Sequence, residues 1–302
     1  LPLFGETSGE NSIIVTPNAD IDLAVKDVVY SAFGHAGQKC SAGSTVILVG
    51  SVAHSERFRR QLLDSVNSLH VAHPQDIESQ MGPVVQKPEE KLLRGLTTLG
   101  PGERWLIQPK ELDETGRLWS PGVREGVKPG SEYHMTEYFG PILGIMTADT
   151  LEEAIELQNA PDYGLTAGLH SLDADELELW LSKVQAGNLY VNRAITGAIV
   201  QRQPFGGWKK STVGSGTKAG GPSYLSDWEP VQSTATATTH SVTVRETLAT
   251  IENSELGKRD DFAFIKRGVS SDAHAWDTEF GFGHDPSKLG VERNILRYVP
   301  TQ

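Results

Sequence analysis

Cys40 is the only cysteine in 302 residues, and it closes the stretch Ser31-Ala-Phe-Gly-His-Ala-Gly-Gln-Lys-Cys-Ser41. A thiol that attacks an electrophile must be partly exposed, held on a defined turn, and deprotonated when the substrate arrives. Gly34 and Gly37 allow a tight backbone approach just ahead of it. The run at 45–49, Thr-Val-Ile-Leu-Val, reads as a strand that would fix its position. The other reading of a lone cysteine is a small buried hydrophobe. His35 lies close in sequence, but it reads as structural rather than as half of a Cys–His pair.

The elements that must position this loop follow from periodicity. Residues 11–15 (Asn-Ser-Ile-Ile-Val) read as a buried strand ended by Thr16-Pro17-Asn18. Asp20 then caps a helix over 21–33 with Ile21, Val25, Val28 and Val29 on one face. Residues 55–69 form an amphipathic helix with Phe58, Leu62, Leu63, Val66 and Leu69 inward. The segment 70–135 is rich in Pro, Gly and charge, with short strands and one helix near 88–99. A strand at 142–147, a helix at 150–159, a helix at 173–185 and a strand at 188–192 complete the pattern. Strands alternating with helices imply an α/β architecture with a largely parallel sheet. Gly214-Ser215-Gly216 lacks the strand-to-helix context of a phosphate loop and is rejected as one. The Thr-rich run 234–244 reads as an edge or oligomerisation strand, and 256–302 is polar, with Trp276, Phe280 and Phe282 as isolated anchors.

Composition excludes several classes. A net charge of −12 argues against a nucleic-acid surface, which needs clustered Lys and Arg. No apolar run approaches the roughly 20 residues that span a bilayer. One cysteine excludes an internal disulfide framework and a cysteine-based zinc site, and no metal is expected. It also suits a reducing cytoplasm.

Four motifs in order carry a resemblance. Phe33-x-x-x-Gly37-Gln38-x-Cys40 resembles the catalytic cysteine motif of the aldehyde dehydrogenase superfamily. Glu6-Thr7-Ser8-Gly9-Glu10-Asn11 resembles that family's glutamate motif, and Glu6 precedes Cys40 by 34 positions, the usual interval. Glu137-Tyr138-Phe139-Gly140-Pro141 and Pro204-Phe205-Gly206-Gly207 are similar to two further motifs. The resemblance covers 1–230 and implies an NAD-dependent aldehyde dehydrogenase catalytic domain. The chain opens on Leu-Pro-Leu-Phe, without the nucleotide-binding domain that the family carries ahead of its glutamate motif. It is therefore expected to be a fragment, with 231–302 supplying an oligomerisation strand and a C-terminal extension.

The resemblance also assigns roles. Cys40 would be the nucleophile and Glu6 the base that activates water for thioester hydrolysis, a task suited to a carboxylate desolvated enough to raise its pKa. The backbone N–H of Cys40 would donate to the oxyanion, with an Asn from the absent part. Glu137 would accept from the ribose hydroxyls of NAD and Phe139 would pack near its ring. Read without the family, Glu6 is a surface glutamate and Phe139-Gly140-Pro141 a turn.

Gly187-Asn188-Leu189-Tyr190-Val191-Asn192-Arg193 and Lys218-Ala219-Gly220-Gly221-Pro222-x-Tyr224-Leu225 resemble one branch, the L-glutamate-γ-semialdehyde (Δ1-pyrroline-5-carboxylate) dehydrogenases. The likeness is particularly to those fused to proline dehydrogenase. There Ser41, Gly220 and Gly221 would hold the substrate's α-carboxylate as an anion nest, and Trp228 would line the same pocket. FAD is expected only in the proline dehydrogenase part, which is absent. Ser44 stands where the family often has Arg, and Gly43 where related enzymes often have Leu. A homodimer or higher homo-oligomer is expected. The alternatives are an enzyme for another aldehyde and a non-catalytic oligomerisation or capping module.

Overall fold

The apolar runs assemble into a seven-stranded sheet. The computed structural model describes residues 5–199, 203–214, 218–221, 242–259 and 262–276, with Leu3, Gly281 and Ile295. In chain order the strands are β1 (Gly5–Glu6), β2 (Asn11–Val15), β3 (Gly43–Val49), β4 (Arg104–Ile107), β5 (Gly122–Glu125), β6 (Ile142–Ala148), β7 (Tyr163–Gly164), β8 (Thr166–His170), β9 (Asn188–Val191), β10 (Trp208–Lys209) and β11 (Thr212–Val213). The large sheet has the order β4-β5-β6-β3-β2-β8-β9. Every neighbouring pair in it is parallel except β4 with β5. This is the largely parallel α/β sheet expected. Strands β2 and β8 are buried at every residue, as central strands covered on both faces require.

Helices α1 (Ile21–Phe33), α2 (Glu56–Asn67), α3 (Glu90–Thr97), α5 (Leu151–Asn159) and α6 (Ala174–Lys183) fall where the periodicity put them, and α4 (Glu132–Met135) is a single turn that it did not announce. Their starts are chemical. The Asp20 side chain accepts from Asp22 and Leu23 N–H, Ser55 from Phe58, Thr150 from Glu153, and Asp173 from Asp175 and Glu176. Each satisfies backbone donors that the first helical turn leaves open. Helix α1 packs on α2 and β3, while α5 packs on α6, β2 and β3. One buried amide ties these layers: Gln158 donates to the carbonyls of Ser12 and Gly168 and accepts from Trp180 Nε1 at 2.7 Å.

The chain divides into two units, Leu1–Gly197 with Phe205–Lys218, and Ala198–Pro204 with Ala219–Gln302. The sheet lies in the first. The second contains α7 (Val242–Glu252) and α8 (Phe262–Ala275), joined by a Lys266–Glu252 ion pair at 2.9 Å. The strand expected at 234–244 needs correction at its end. Residues 242–244 open α7 instead, because Arg245, Glu246, Leu248 and Ala249, all good helix formers, carry Val242-Thr243-Val244 into a helix. Residues 234–241, like Phe280 and Phe282, lie outside the described residues.

Candidate active site

The cysteine turn lies at the N-terminal edge of the parallel strands, immediately before β3. Ala42 N–H donates to the Lys39 carbonyl at 2.9 Å, which closes a four-residue turn with Cys40 and Ser41 at its corners. Cys40 is exposed, so the reading as a buried hydrophobe does not hold. On the other side, His35, Ala36 and Gly37 follow one another at φ 60, 54 and 65. Two non-glycine residues in the left-handed region are held against an intrinsic cost. Gly37 has no room for a side chain: a Cβ would strike the Gly140 carbonyl and lie 2.9 Å from the Ala32 oxygen. Gly34, also expected to allow close approach, has φ −53 and open space around it. The turn needs only the second glycine.

A residue not singled out from sequence holds this turn in place. Asn11, at the start of β2, donates from Nδ2 to the carbonyls of Cys40 (2.8 Å), Ala42 (2.9 Å) and Gly9 (3.2 Å). Its Oδ1 accepts from Thr166 N–H on β8 at 3.0 Å. A buried amide at the head of an otherwise apolar strand was the available signal. Beside it, Gly9 is forced to be glycine, since a Cβ would sit 2.6 Å from the Cys40 carbonyl oxygen.

Glu137 is drawn to the same point. It is 9% exposed, accepts from Gly9 N–H at 3.1 Å, and faces the Ser8 hydroxyl. Burial raises its pKa, and these two donors oppose the rise. Phe139 adopts φ 59 and leaves its ring 38% exposed. Gln38, two residues before Cys40, ties the loops: its amide donates to the Phe139 carbonyl at 3.1 Å and accepts from Val85 N–H at 2.8 Å. A small cleft open to solvent lies here, lined by Gly9, Lys39, Ser44, Glu137, Phe139 and Gly140 among others.

Glu6 arrives by a different route. Strand β1 pairs antiparallel with β11, Glu6 opposite Thr212, and Gly207 N–H donates to Glu6 Oε1 at 2.8 Å. The residue is exposed, yet partial burial of its carboxylate raises the pKa, opposed by the Gly207 N–H and by the Lys218 charge. This is the direction expected of a base.

The thiol itself departs from expectation. Burial raises its pKa first, and the charges of Glu6 and Glu137 raise it further. The N–H groups of Ser41 and Cys40 oppose them more weakly. Among the described residues no cation offsets these effects, so the thiolate form is disfavoured at neutral pH. Tyr190 on β9 is near enough for the cysteine's charge to contribute to its own elevated pKa, pushed up to about 12 chiefly by burial.

The structure thus gathers Cys40, Ser41, Glu6, Glu137 and Phe139 in the first unit. Ser41 is buried directly behind Cys40. Gly220 and Gly221 belong to the second unit. Gly220 has φ +74 with nothing near its missing side chain. Trp228 lies outside the described residues. Glu10 went unremarked in the sequence beyond its place in the motif. It is 5% exposed with neither carboxyl oxygen in a well-formed hydrogen bond. Burial drives its pKa well up, the neighbouring Ser44 hydroxyl opposes this, and the Glu137 charge adds to it.

Three comparisons bear on this arrangement. The model of the aldehyde dehydrogenase family matches residues 2–234. A 1-pyrroline-5-carboxylate dehydrogenase of Bacillus subtilis is 35% identical over 224 residues, covering 74% of this chain and 43% of that protein. The chain therefore spans about two fifths of the length of the curated relatives it matches. Among solved structures, proline utilization A from Corynebacterium freiburgense aligns with TM-score 0.88 and 53% identity, over 99% of this chain and 30% of that one. A Thermus 1-pyrroline-5-carboxylate dehydrogenase with bound NAD aligns with TM-score 0.66 and 37% identity, over 74% of this chain and 42% of that one.

Proposed function

The chain belongs to the aldehyde dehydrogenase family, and from that premise we propose that it carries the thiol chemistry of an NAD-dependent L-glutamate-γ-semialdehyde dehydrogenase of proline catabolism. The observation that carries this is the exposed Cys40 thiol on a pinned turn, within the electrostatic reach of both Glu6 and Glu137. The names of the relatives, 1-pyrroline-5-carboxylate dehydrogenase and proline utilization A, support the substrate.

The residues present fit one end of a dinucleotide. Glu137 is a carboxylate held in place by Gly9 N–H, and Phe139 offers an exposed ring beside the cleft. Glu137 would accept from vicinal sugar hydroxyls, and Phe139 would pack on the ring. When bound, NAD supplies the hydride acceptor for the oxidation. The rest belongs to this chain. The Cys40 thiol passes its proton to solvent, and its thiolate Sγ bonds to the aldehyde carbon. Negative charge on the former carbonyl oxygen is met by the Cys40 N–H. The acyl group that oxidation leaves on the sulfur is released by water, from which Glu6 takes a proton. Ser41, buried directly behind Cys40, would bind the substrate's α-carboxylate through its hydroxyl.

The test is Cys40-dependent hydrolysis of an activated ester by the purified chain, followed by NAD reduction with L-glutamate γ-semialdehyde. We expect Cys40→Ser to abolish both and Glu6→Gln to stall at an acylated Cys40 visible by mass spectrometry. Acyl-enzyme that clears normally in Glu6→Gln would overturn the role of Glu6. A Ser41→Ala variant with an unchanged KM would point to another aldehyde.

A further inference from the structure

Lys218 is a charged side chain that the chemistry above does not use. Its Nζ donates to the carbonyls of Gly187 and Gly206, the latter at 3.1 Å, which engages two of its three N–H bonds. Gly206 is also held by Asn188, whose Nδ2 donates to its carbonyl at 3.1 Å. The next residue, Gly207, gives its N–H to Glu6. Lysine and glutamate meet on the same glycine. A Cβ built on Gly206 would lie 2.9 Å from Lys218 Cγ and 3.3 Å from Glu6 Oε1.

We infer that Lys218 is a positioning residue for Glu6: pinned on two backbone carbonyls, its ammonium keeps the neighbouring carboxylate ionised and turned toward the Gly206–Gly207 strip. The physical reason is mutual. Partial burial penalises the Glu6 carboxylate, and the Lys218 charge offsets part of that penalty after the Gly207 N–H. Burial likewise lowers the Lys218 pKa, to about 8, and Glu6 opposes that fall. Among the described residues the ionisable groups that face Glu6 are Lys218 and Cys40. Lys209 and Lys210, just before β11, are turned elsewhere, to the Asn159 and Pro161 carbonyls and to Asp162. A lysine whose ammonium bonds main-chain carbonyls cannot be replaced by a shorter cation without losing the strip's position.

This inference rests on Glu6 as the base, so the test separates the two. In protein labelled with [13C]glutamate, the Glu6 carboxyl resonance is assigned by its loss in Glu6→Gln and titrated. Lys218→Met, which keeps the aliphatic packing, should move the midpoint upward, while Lys218→Arg should hold it. Ester hydrolysis by Lys218→Met should fall about tenfold in the mildly acidic range and recover as pH rises, with KM unchanged. Linkage requires the reciprocal effect in a protein that retains the lysine. Glu6→Gln should lower the Lys218 midpoint, read by NMR after 13C reductive methylation. An unmoved Glu6 midpoint in Lys218→Met, or an unmoved Lys218 midpoint in Glu6→Gln, overturns the inference. A Glu6–Lys218 shift without any Cys40-dependent hydrolysis would instead sink the catalytic reading and leave the pairing intact.

Discussion

Asn11 holds Cys40 by its main chain: the amide donates to the Cys40 carbonyl at 2.8 Å and, from the same nitrogen, to Ala42 at 2.9 Å. The thiol is thereby left exposed while the backbone that carries it is fixed to the first residue of β2. The pairing also explains the close approach of Gly9, whose N–H serves Glu137 and whose Cα lies against the Cys40 carbonyl.

Replacing Asn11 by Leu should therefore be severe. The change strands the Cys40 and Ala42 carbonyls and the Thr166 N–H, and buried groups without partners cost about 1–3 kcal/mol each before relaxation. We expect a loss of about 3 kcal/mol in urea unfolding at unchanged slope, with ester hydrolysis reduced beyond the loss of folded protein. A loss below about 1 kcal/mol would mean that water replaces the amide.

The two glycines before Cys40 should behave oppositely. Gly37→Ala meets both a left-handed φ, worth about 1–2 kcal/mol, and the Gly140 carbonyl. It should cost about 2 kcal/mol or more and depress Cys40 reactivity. Gly34→Ala, at φ −53 in open space, should be neutral or stabilising by about 0.5 kcal/mol. Thermal unfolding of the pair decides; equal losses would contradict the geometry.

The thiol should alkylate slowly at neutral pH and speed up only in alkaline solution, because burial and two carboxylates disfavour the thiolate. Glu6→Gln removes one of those charges, so iodoacetamide labelling at neutral pH should quicken about threefold. Slower labelling in that variant would show that Glu6 acts on the thiol as a base before it acts as a charge.

His170, fully buried at the end of β8, provides an acid limit to stability. Neither ring nitrogen is hydrogen-bonded, and Nε2 lies 3.6 Å from Asp27 Oδ2. Burial lowers its pKa from 6.5 to about 4. The unfolded chain therefore binds the proton more tightly, so this contribution is complete above pH 6.5 and drains as pH falls toward about 4. The total is about 3 kcal/mol. Asp27, whose pKa burial raises, contributes in the opposite sense and trims the loss at the acid end. A His170→Met variant should flatten the slope of urea stability against pH; an unchanged slope would exclude His170 as its source.

Much of this was legible in the chain. The run Ser12-Ile13-Ile14-Val15 is apolar enough to be a covered parallel strand. Asp20, Ser55, Thr150 and Asp173 announce helix starts, and resemblance to the family's motifs draws attention to Glu6, Cys40 and Glu137. Such signals are local, set by side-chain period and by donors that a single turn leaves open. What only the tertiary structure decided is long-range. Asn11 reaches the Cys40 turn across 29 positions and the Thr166 amide across 155. Gly207 meets Glu6 across 201. The thiol's elevated pKa comes from burial and carboxylates contributed by distant segments, and a sequence carries no measure of either. Local chemistry chose the elements and named the thiol. Packing chose its neighbours and, through them, when it is charged.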